Sequence, residues 1–359
     1  MTARVAIIYV CYGTKAYLPA VVEALKNQTY EKEKLALVFI PNGSQDGIQE
    51  EIRSQVLPRS KIDLPEVVLL DDGVNHGFAK GNNLGIEWAK EHGFDYVFLH
   101  NGDLTLAPNA IEEAVRLAES DQTIGSVQSL MLYWHEHEKV NAAGGIVHLA
   151  GYGYAMGNGK QRGGLNLIDG QEICYASGAA VLYRTDALKK VGNLEEAFFM
   201  YHEDLELGLR LRLAGYKNVL AVNSEAYHDY HFSANVKKFQ WTELYRWVVM
   251  LSVYKIETLL LLSPILFCVE LGTWALSIKG GWVHAKVWSY TQLLQGSIWE
   301  TIRRMRAHSQ SLRVIADKEL LRLFTGAIDN QEVMNPIVEK LANPAIEFWK
   351  KNVMDRITW

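Results

Sequence analysis

Cysteine is scarce in this 359-residue chain: Cys11, Cys174 and Cys268 lie far apart, with no CxxC among them. So small, odd and scattered a set argues against a disulfide framework and a thiolate zinc site, and it fits a reducing compartment. The chain also lacks a G-x-x-x-x-G-K-[ST] stretch, and its glycines do not follow the first strand as in a dinucleotide fingerprint. Kinase-like and dehydrogenase-like phosphate loops are therefore not supported. Repeats and low-complexity tracts are missing too. With 49% hydrophobic and only 21% charged residues, a substantial core is expected and wholesale disorder is not. The opening run VAIIYVCY is too short to span a membrane, lacks a signal-peptide layout, and reads as a first buried strand.

What charge there is divides unevenly. Residues 1–233 carry 20 cationic and 30 anionic side chains, whereas residues 234–330 carry 12 and 7. An acidic body joined to a basic, aromatic-rich segment points to an anionic surface, with a membrane as the leading partner. Nucleic acid is not expected.

In the first half, short β-branched runs (RVAIIYVCY, KLALVFI, PEVVLL, YVFLH) alternate with helical stretches such as LPAVVEALKNQ and GNNLGIEWAKEHG. That alternation predicts an α/β fold with ligands at the strand C-termini. Residues 140–185 are glycine-rich and read as loops and short strands. From residue 236 the texture becomes apolar and tryptophan-rich. Residues 258–278 are long enough to span a bilayer, but contain Pro264 and Glu270. Helices lying in one leaflet are preferred to a crossing, and a buried hairpin is the third option. Trp241, Trp247, Trp274 and Trp282 read as interfacial anchors or bundle packing. Residues 297–324 form a basic amphipathic segment, and residues 335–359 a further helical piece. The expected division is 1–235, 236–330 and 331–359.

Three strand ends carry the chemistry: PNGSQDG at 41–47, NHGFAKGNN at 75–83 and HNGD at 100–103. Glycines there let a ligand approach the backbone, and short polar side chains can read a base or ribose. Each alone is a turn signal, but three at successive strand ends converge on one crevice and favour a nucleotide. Asp103 either holds Mg²⁺ or Mn²⁺ against a diphosphate or caps the helix near Pro108. In FFMYHEDLELGLRLRLAGY, the adjacent Glu203 and Asp204 precede leucines that alternate like a strand. Helix-forming residues and the stop at Gly215 favour a helix, with both acids in its first turn, where the macrodipole favours negative charge. His135, His137 and His148 read as solvated rather than as a metal tract. Arg210 and Arg212 read as salt-bridged or solvated rather than as phosphate ligands.

The ordered set IIYVCYG, PNGSQDG, NHGFAKGNNLGI, LHNGDL, YASGAAVLYRTDALKKVGNLEEAFFMYHEDLELGLRLRLAGY and AYHDYHFS resembles the inverting family 2 glycosyltransferases. More narrowly, it is similar to their bacterial rhamnosyltransferase branch, over about residues 4–325. The resemblance implies a GT-A fold, a Rossmann-like mixed sheet with helices on both faces, followed by a helical membrane-associated module. It implies Asp103 as metal ligand, with Asn101 in place of the first acid of a DxD motif. His228, ahead of His231 by its spacing to Ser233, would be a further metal contact. Asp204 would be the catalytic base, with Glu203 beside it. Nucleotide contacts would come from Tyr9 or Tyr12, Asn42, Gly77, Asn82 and Asn83. Two positions depart from the pattern. Pro41 stands where many members have an acid beside the base-reading residue, which counts against uridine-style recognition, and Glu195 replaces an aspartate.

The expected function is metal-dependent transfer with inversion, from dTDP-rhamnose or a related donor to a polyprenyl-diphosphate-linked saccharide at the cytoplasmic membrane face. A UDP- or GDP-hexose donor and a non-catalytic nucleotide-sugar-binding adaptor are the alternatives. A pyrophosphorylase would need no membrane module, and a processive synthase would need several clear spans.

Overall fold

The computed structural model describes residues 2–231, 236–328, 340 and 342–359. Strands β1 (Val5–Val10), β2 (Leu35–Ile40), β3 (Glu66–Leu69) and β4 (Tyr96–Asn101) form the parallel half of one mixed sheet, in the order β3-β2-β1-β4. Most of their residues are buried, which is why they read as near-continuous apolar runs.

The other half contains β5 (Leu104–Leu106), β6 (Ile124–Tyr133) and β7 (Glu136–Ala142). The pair β8 (Gly145–Val147) and β9 (Gly153–Ala155) makes a separate small ribbon. Strands β10 (Glu172–Ile173), β11 (Ala180–Arg184) and β12 (Lys217–His228) complete the main sheet. Strand β11 lies antiparallel between β4 and β6, and β12 runs parallel to β6. The latter register slips between Ala221 and Glu225, where residues 222–224 bulge out of the ladder. Beyond the bulge, β12 pairs antiparallel with β5, setting His228 opposite Leu104.

Helices α1 (Leu18–Lys26), α2 (Ile48–Glu51), α3 (Gly77–Glu91), α4 (Ala110–Ser120), α5 (Thr185–Val191) and α6 (Glu203–Leu213) cover the sheet. One face packs α1, α2 and α4, and the other packs α3, α5 and α6. The sequence conflict over residues 205–213 resolves here. Helix α6 is covered on two sides: Leu207 and Leu211 face the sheet, while Leu205, Leu209 and Leu213 face a second helical layer. Alternating leucines thus suit a helix sandwiched between layers. Truncating any one to alanine would cost about 2–5 kcal/mol.

That second layer is built from α7 (Val236–Val253), α8 (Ile256–Lys279), α9 (Val283–Leu293), α10 (Gly296–Leu312), α11 (Asp317–Leu321) and α12 (Asn343–Met354). Helix α8 runs unbroken through Pro264 and is the one described helix long and apolar enough to cross a membrane. Its most apolar window has a mean hydropathy of 1.9 and is only 11% buried. Glu270 is no obstacle to an apolar exterior, because its carboxylate turns inward to Arg246 and Lys286. All four tryptophans find partners within the module or against its neighbours: Trp241 on Phe199, Trp247 beside Arg246, Trp274 on Tyr290 and Trp282 on Phe239. One expectation is corrected. His148 is buried, its Nε2 on the Gly326 carbonyl and its Nδ1 accepting the Ala150 N–H, so it joins the layers instead of meeting solvent. Arg210 is buried with Glu206 as its ion partner at 2.7 Å, and buried Arg212 lies 3.5 Å from Glu172.

Candidate active site

The loops beyond the strand C-termini are stitched into one rim. Asn42, in the left-handed region at φ 52°, accepts the His76 N–H at 2.9 Å and donates to the Gly77 carbonyl at 3.2 Å. Gly77 must be glycine: its φ is +74°, and a Cβ would lie 2.5 Å from the Phe199 carbonyl oxygen. The next residue, Phe78, donates its N–H to that same carbonyl at 2.8 Å. The second loop is thereby fastened to the segment leading into Glu203 and Asp204.

The two acids open α6, as their sequence context suggests. Both residues before them, Tyr201 and His202, adopt positive φ, 70° and 69°. For non-glycine residues this costs about 1–2 kcal/mol each. The strain directs the chain into the helix with its first carboxylates at the strand ends. Asp204 accepts the Gly178 N–H at 3.1 Å and the Leu205 N–H at 2.7 Å, which leaves lone pairs on both oxygens. Glu203 is buried, and one of its oxygens has no partner. Burial raises the pKa of both groups. Repulsion from Asp204 adds to the rise at Glu203, and the two N–H bonds partly offset it at Asp204.

From Asp204 the path continues. Gly178 precedes Ala179, whose carbonyl accepts the Asn101 N–H at 2.9 Å, and Asp103 lies two residues beyond Asn101 in the turn between β4 and β5. The antiparallel pairing of β5 with β12 brings His228 alongside: its Nε2 is 3.2 Å from Asp103 Oδ1. The other ring nitrogen, Nδ1, is 2.9 Å from Asn141 Oδ1. Since that oxygen can only accept, Nδ1 donates to it, and Nε2 donates to Asp103 through a proton whose place a bound cation would take. Burial opposes ionisation of Asp103, yet the bond to His228 holds its pKa below the ordinary value. His231 instead points to Asp229 at 3.3 Å and is exposed. Ser233, whose spacing favoured His228, lies outside the described residues.

Other expected nucleotide contacts are turned to different tasks here. Tyr9 is buried, its hydroxyl donating to the Gly102 carbonyl at 2.9 Å, and so supports the Asp103 turn from beneath. Asn82 donates to Phe78 within α3, and Asn83 ties α3 to Leu194 and Glu196. Tyr12 is 55% exposed and Asn101 is half-buried. Glu195, the departure before the acid pair, makes a two-pronged bridge to Arg304 of α10 at 2.7 Å. Asn141 was not singled out by sequence reasoning, since it closes a hairpin in a stretch that reads as loop. A lone asparagine there carries no signal.

Among the described residues no cluster of three or more His, Cys, Asp or Glu could cage a metal. Asp103 and His228 instead form a two-ligand site, whose shared proton a cation would displace. That fits Mg²⁺ or Mn²⁺, which habitually take one or two protein ligands and complete their shell with substrate phosphates.

Comparison with known proteins gives the family and the fold. The family described as "Glycosyltransferase like family 2" matches residues 3–249. An N-acetylglucosaminyl-diphospho-decaprenol L-rhamnosyltransferase of Mycobacterium tuberculosis is 25% identical over 250 residues, 64% of this chain and 76% of that protein. The rhamnosyltransferase WbbL of Escherichia coli is 23% identical over 181 residues, 48% of this chain and 67% of WbbL. The fold is similar to that of a Pyrobaculum calidifontis mannosyltransferase solved with GDP-Man and Mn²⁺ (TM-score 0.53, 14% identity, 87% of each chain). It is also similar to GalNAc-T7 with UDP, GalNAc and Mn²⁺ (TM-score 0.55, 13% identity, 71% of this chain and 48% of that one).

Proposed function

Because the chain belongs to glycosyltransferase family 2, we propose that it moves a deoxysugar, L-rhamnose first among candidates, from a nucleoside diphosphate to a lipid-linked saccharide, with inversion. The observation that supports this reading is the chain of bonds from Asp204 through Gly178 and Ala179 to Asn101, two residues before Asp103, with His228 beside it.

Asp204 is the base. Its carboxylate takes the proton of the acceptor hydroxyl as that oxygen attacks the anomeric carbon, while the bond from that carbon to the diphosphate oxygen breaks on the opposite face. General-base assistance of this kind contributes about 10²–10⁴-fold. The raised pKa of Asp204 makes it a stronger proton acceptor than an ordinary aspartate, and the Gly178 and Leu205 N–H groups fix its direction. Asp103 and His228 would hold Mg²⁺ or Mn²⁺ there, with Asn141 fixing the imidazole tautomer. When bound, the cation neutralises charge on the departing diphosphate.

Residues 1–235 would form the catalytic part and residues 236–330 a membrane-facing one at the cytoplasmic surface. Leu260, Phe267 and Leu271 of α8 are 56–69% exposed. An exposed apolar helix face is what docking onto a membrane that holds a polyprenyl-linked substrate requires. The lipid-linked acceptor named for the mycobacterial relative supports this choice. The test is nucleoside-diphosphate release from a panel of dTDP-, UDP- and GDP-sugars with Mn²⁺ and a polyprenyl-diphosphate-linked acceptor. Turnover that needs both Asp204 and acceptor is expected. Binding of a sugar nucleotide without any turnover would mark an adaptor instead.

A further inference from the structure

We infer that Arg246 of α7 is a positioning residue for Glu203 and Asp204: from the helical layer it fixes the strained Tyr201–His202 turn that aims them. The inference rests on the assignment of Asp204 as base.

The guanidinium is 1% exposed and fully engaged. It donates to Glu243 at 2.9 and 3.1 Å, bonds Glu270, reaches the Ala150 carbonyl at 3.4 Å, and lies 4.6 Å over the Tyr152 ring. The main chain packs equally tightly: a Cβ on Gly151 (φ +80°) would sit 2.9 Å from the Arg246 carbonyl oxygen. Residues 150–152 are thus clamped by this one arginine. The Gly151 carbonyl lies 3.3 Å from Nε2 of His202, the residue that opens into Glu203.

The same helix grips the opposite flank of the turn. Tyr245 lies 4.7 Å from the Phe198 ring, and its hydroxyl accepts the Phe199 N–H at 3.4 Å. One turn earlier, Trp241 lies 6.1 Å from Tyr201. Left-handed conformations at two successive non-glycine residues persist only where their surroundings over-determine them. Here α7 supplies much of that surrounding. Loosening the arginine clamp lets the His202 anchor drift, and a catalytic group misplaced by about 1 Å can lose about 10²-fold in rate.

The experiment compares full-length Arg246→Lys and Tyr245→Phe with the parent chain and with Asp204→Asn. It measures kcat by nucleoside-diphosphate release, the Kd for dTDP or UDP with Mn²⁺ by calorimetry, and Tm. Arg246→Lys keeps the charge but loses the fork. We expect kcat to fall about 10- to 100-fold, with nucleotide Kd unchanged. Tyr245→Phe removes a single hydroxyl, opens no cavity, and should lower kcat several-fold in the same pattern. If Arg246→Lys does not fold, Tyr245→Phe decides alone. Parental kcat in either variant overturns the inference, and so does a loss of nucleotide affinity in step with kcat. Full turnover by Asp204→Asn would overturn the base assignment and this inference with it. An inactive Asp204→Asn beside a fully active Arg246→Lys overturns this inference alone.

Discussion

Two groups of buried charge, one at the start of α6 and one joining α7, α8 and α9, are built on opposite rules. Glu203 and Asp204 are adjacent acids with no cationic side chain bonded to them among the described residues, steadied by backbone N–H groups and a helix start. Glu243, Arg246, Glu270 and Lys286 form a neutral quartet in which each acid meets both cations. A neutralised cluster serves cohesion between helices; an unneutralised pair costs stability and is retained where a proton must be taken up. The contrast separates structural from chemical acids more sharply than burial does, since Glu203 and Glu243 are equally buried.

The predictions set the two groups against each other. Asp204→Asn should reduce transfer by about 10²–10⁴-fold and leave donor binding intact, as read by product release and calorimetry. Lys286→Met should act on the fold instead, removing about 3–5 kcal/mol of stability because two buried carboxylates are left to share Arg246; a folded variant with unchanged denaturant midpoint would mean that the quartet is not cohesive. Asp103→Ala should weaken Mn²⁺-dependent nucleotide binding by at least about tenfold, with little change in metal-free binding.

Glu203→Gln provides the pH test. Because the folded-state pKa of Glu203 is raised, the unfolded chain loses this proton first as pH rises, so stability falls above the ordinary carboxyl range. The variant should match the parent in acid and gain in Tm over it towards neutrality. A constant difference across pH would contradict the raised pKa. The smallest effect concerns the outer face of α8. Leu260→Glu with Phe267→Glu should abolish co-sedimentation with anionic vesicles and leave turnover of a water-soluble acceptor analogue unchanged.

Much of this architecture was legible beforehand. Strand–helix alternation gave the sheet, and helix-forming residues outweighed the leucine alternation of α6, because the period-2 pattern had a second cause in burial on two sides. Asp103 and the Glu203–Asp204 pair stood out as acids at strand and helix ends. The strand-end asparagines were harder to place, since Asn42, Asn82 and Asn83 are turn-type residues whose side chains can face a ligand or the next loop. Here Asn42 ties two loops together, Asn82 bonds within α3, and Asn83 ties α3 to Leu194. Asn141 and the quartet were invisible for another reason. His228 meets Asn141, and Glu243 meets Lys286, only through tertiary contacts, which no local pattern encodes.

The bulge at residues 222–224 bears on how this chain tolerates change in length. Ala221 and Glu225 are four residues apart yet pair with the adjacent Ser129 and Leu130, so the bulge absorbs the extra residues, and pairing with β5 and β6 sets the direction of His228. The ladder beyond the bulge, not the count of residues inside it, holds this imidazole in place, so length variants of residues 222–224 should keep Mn²⁺-dependent nucleotide binding.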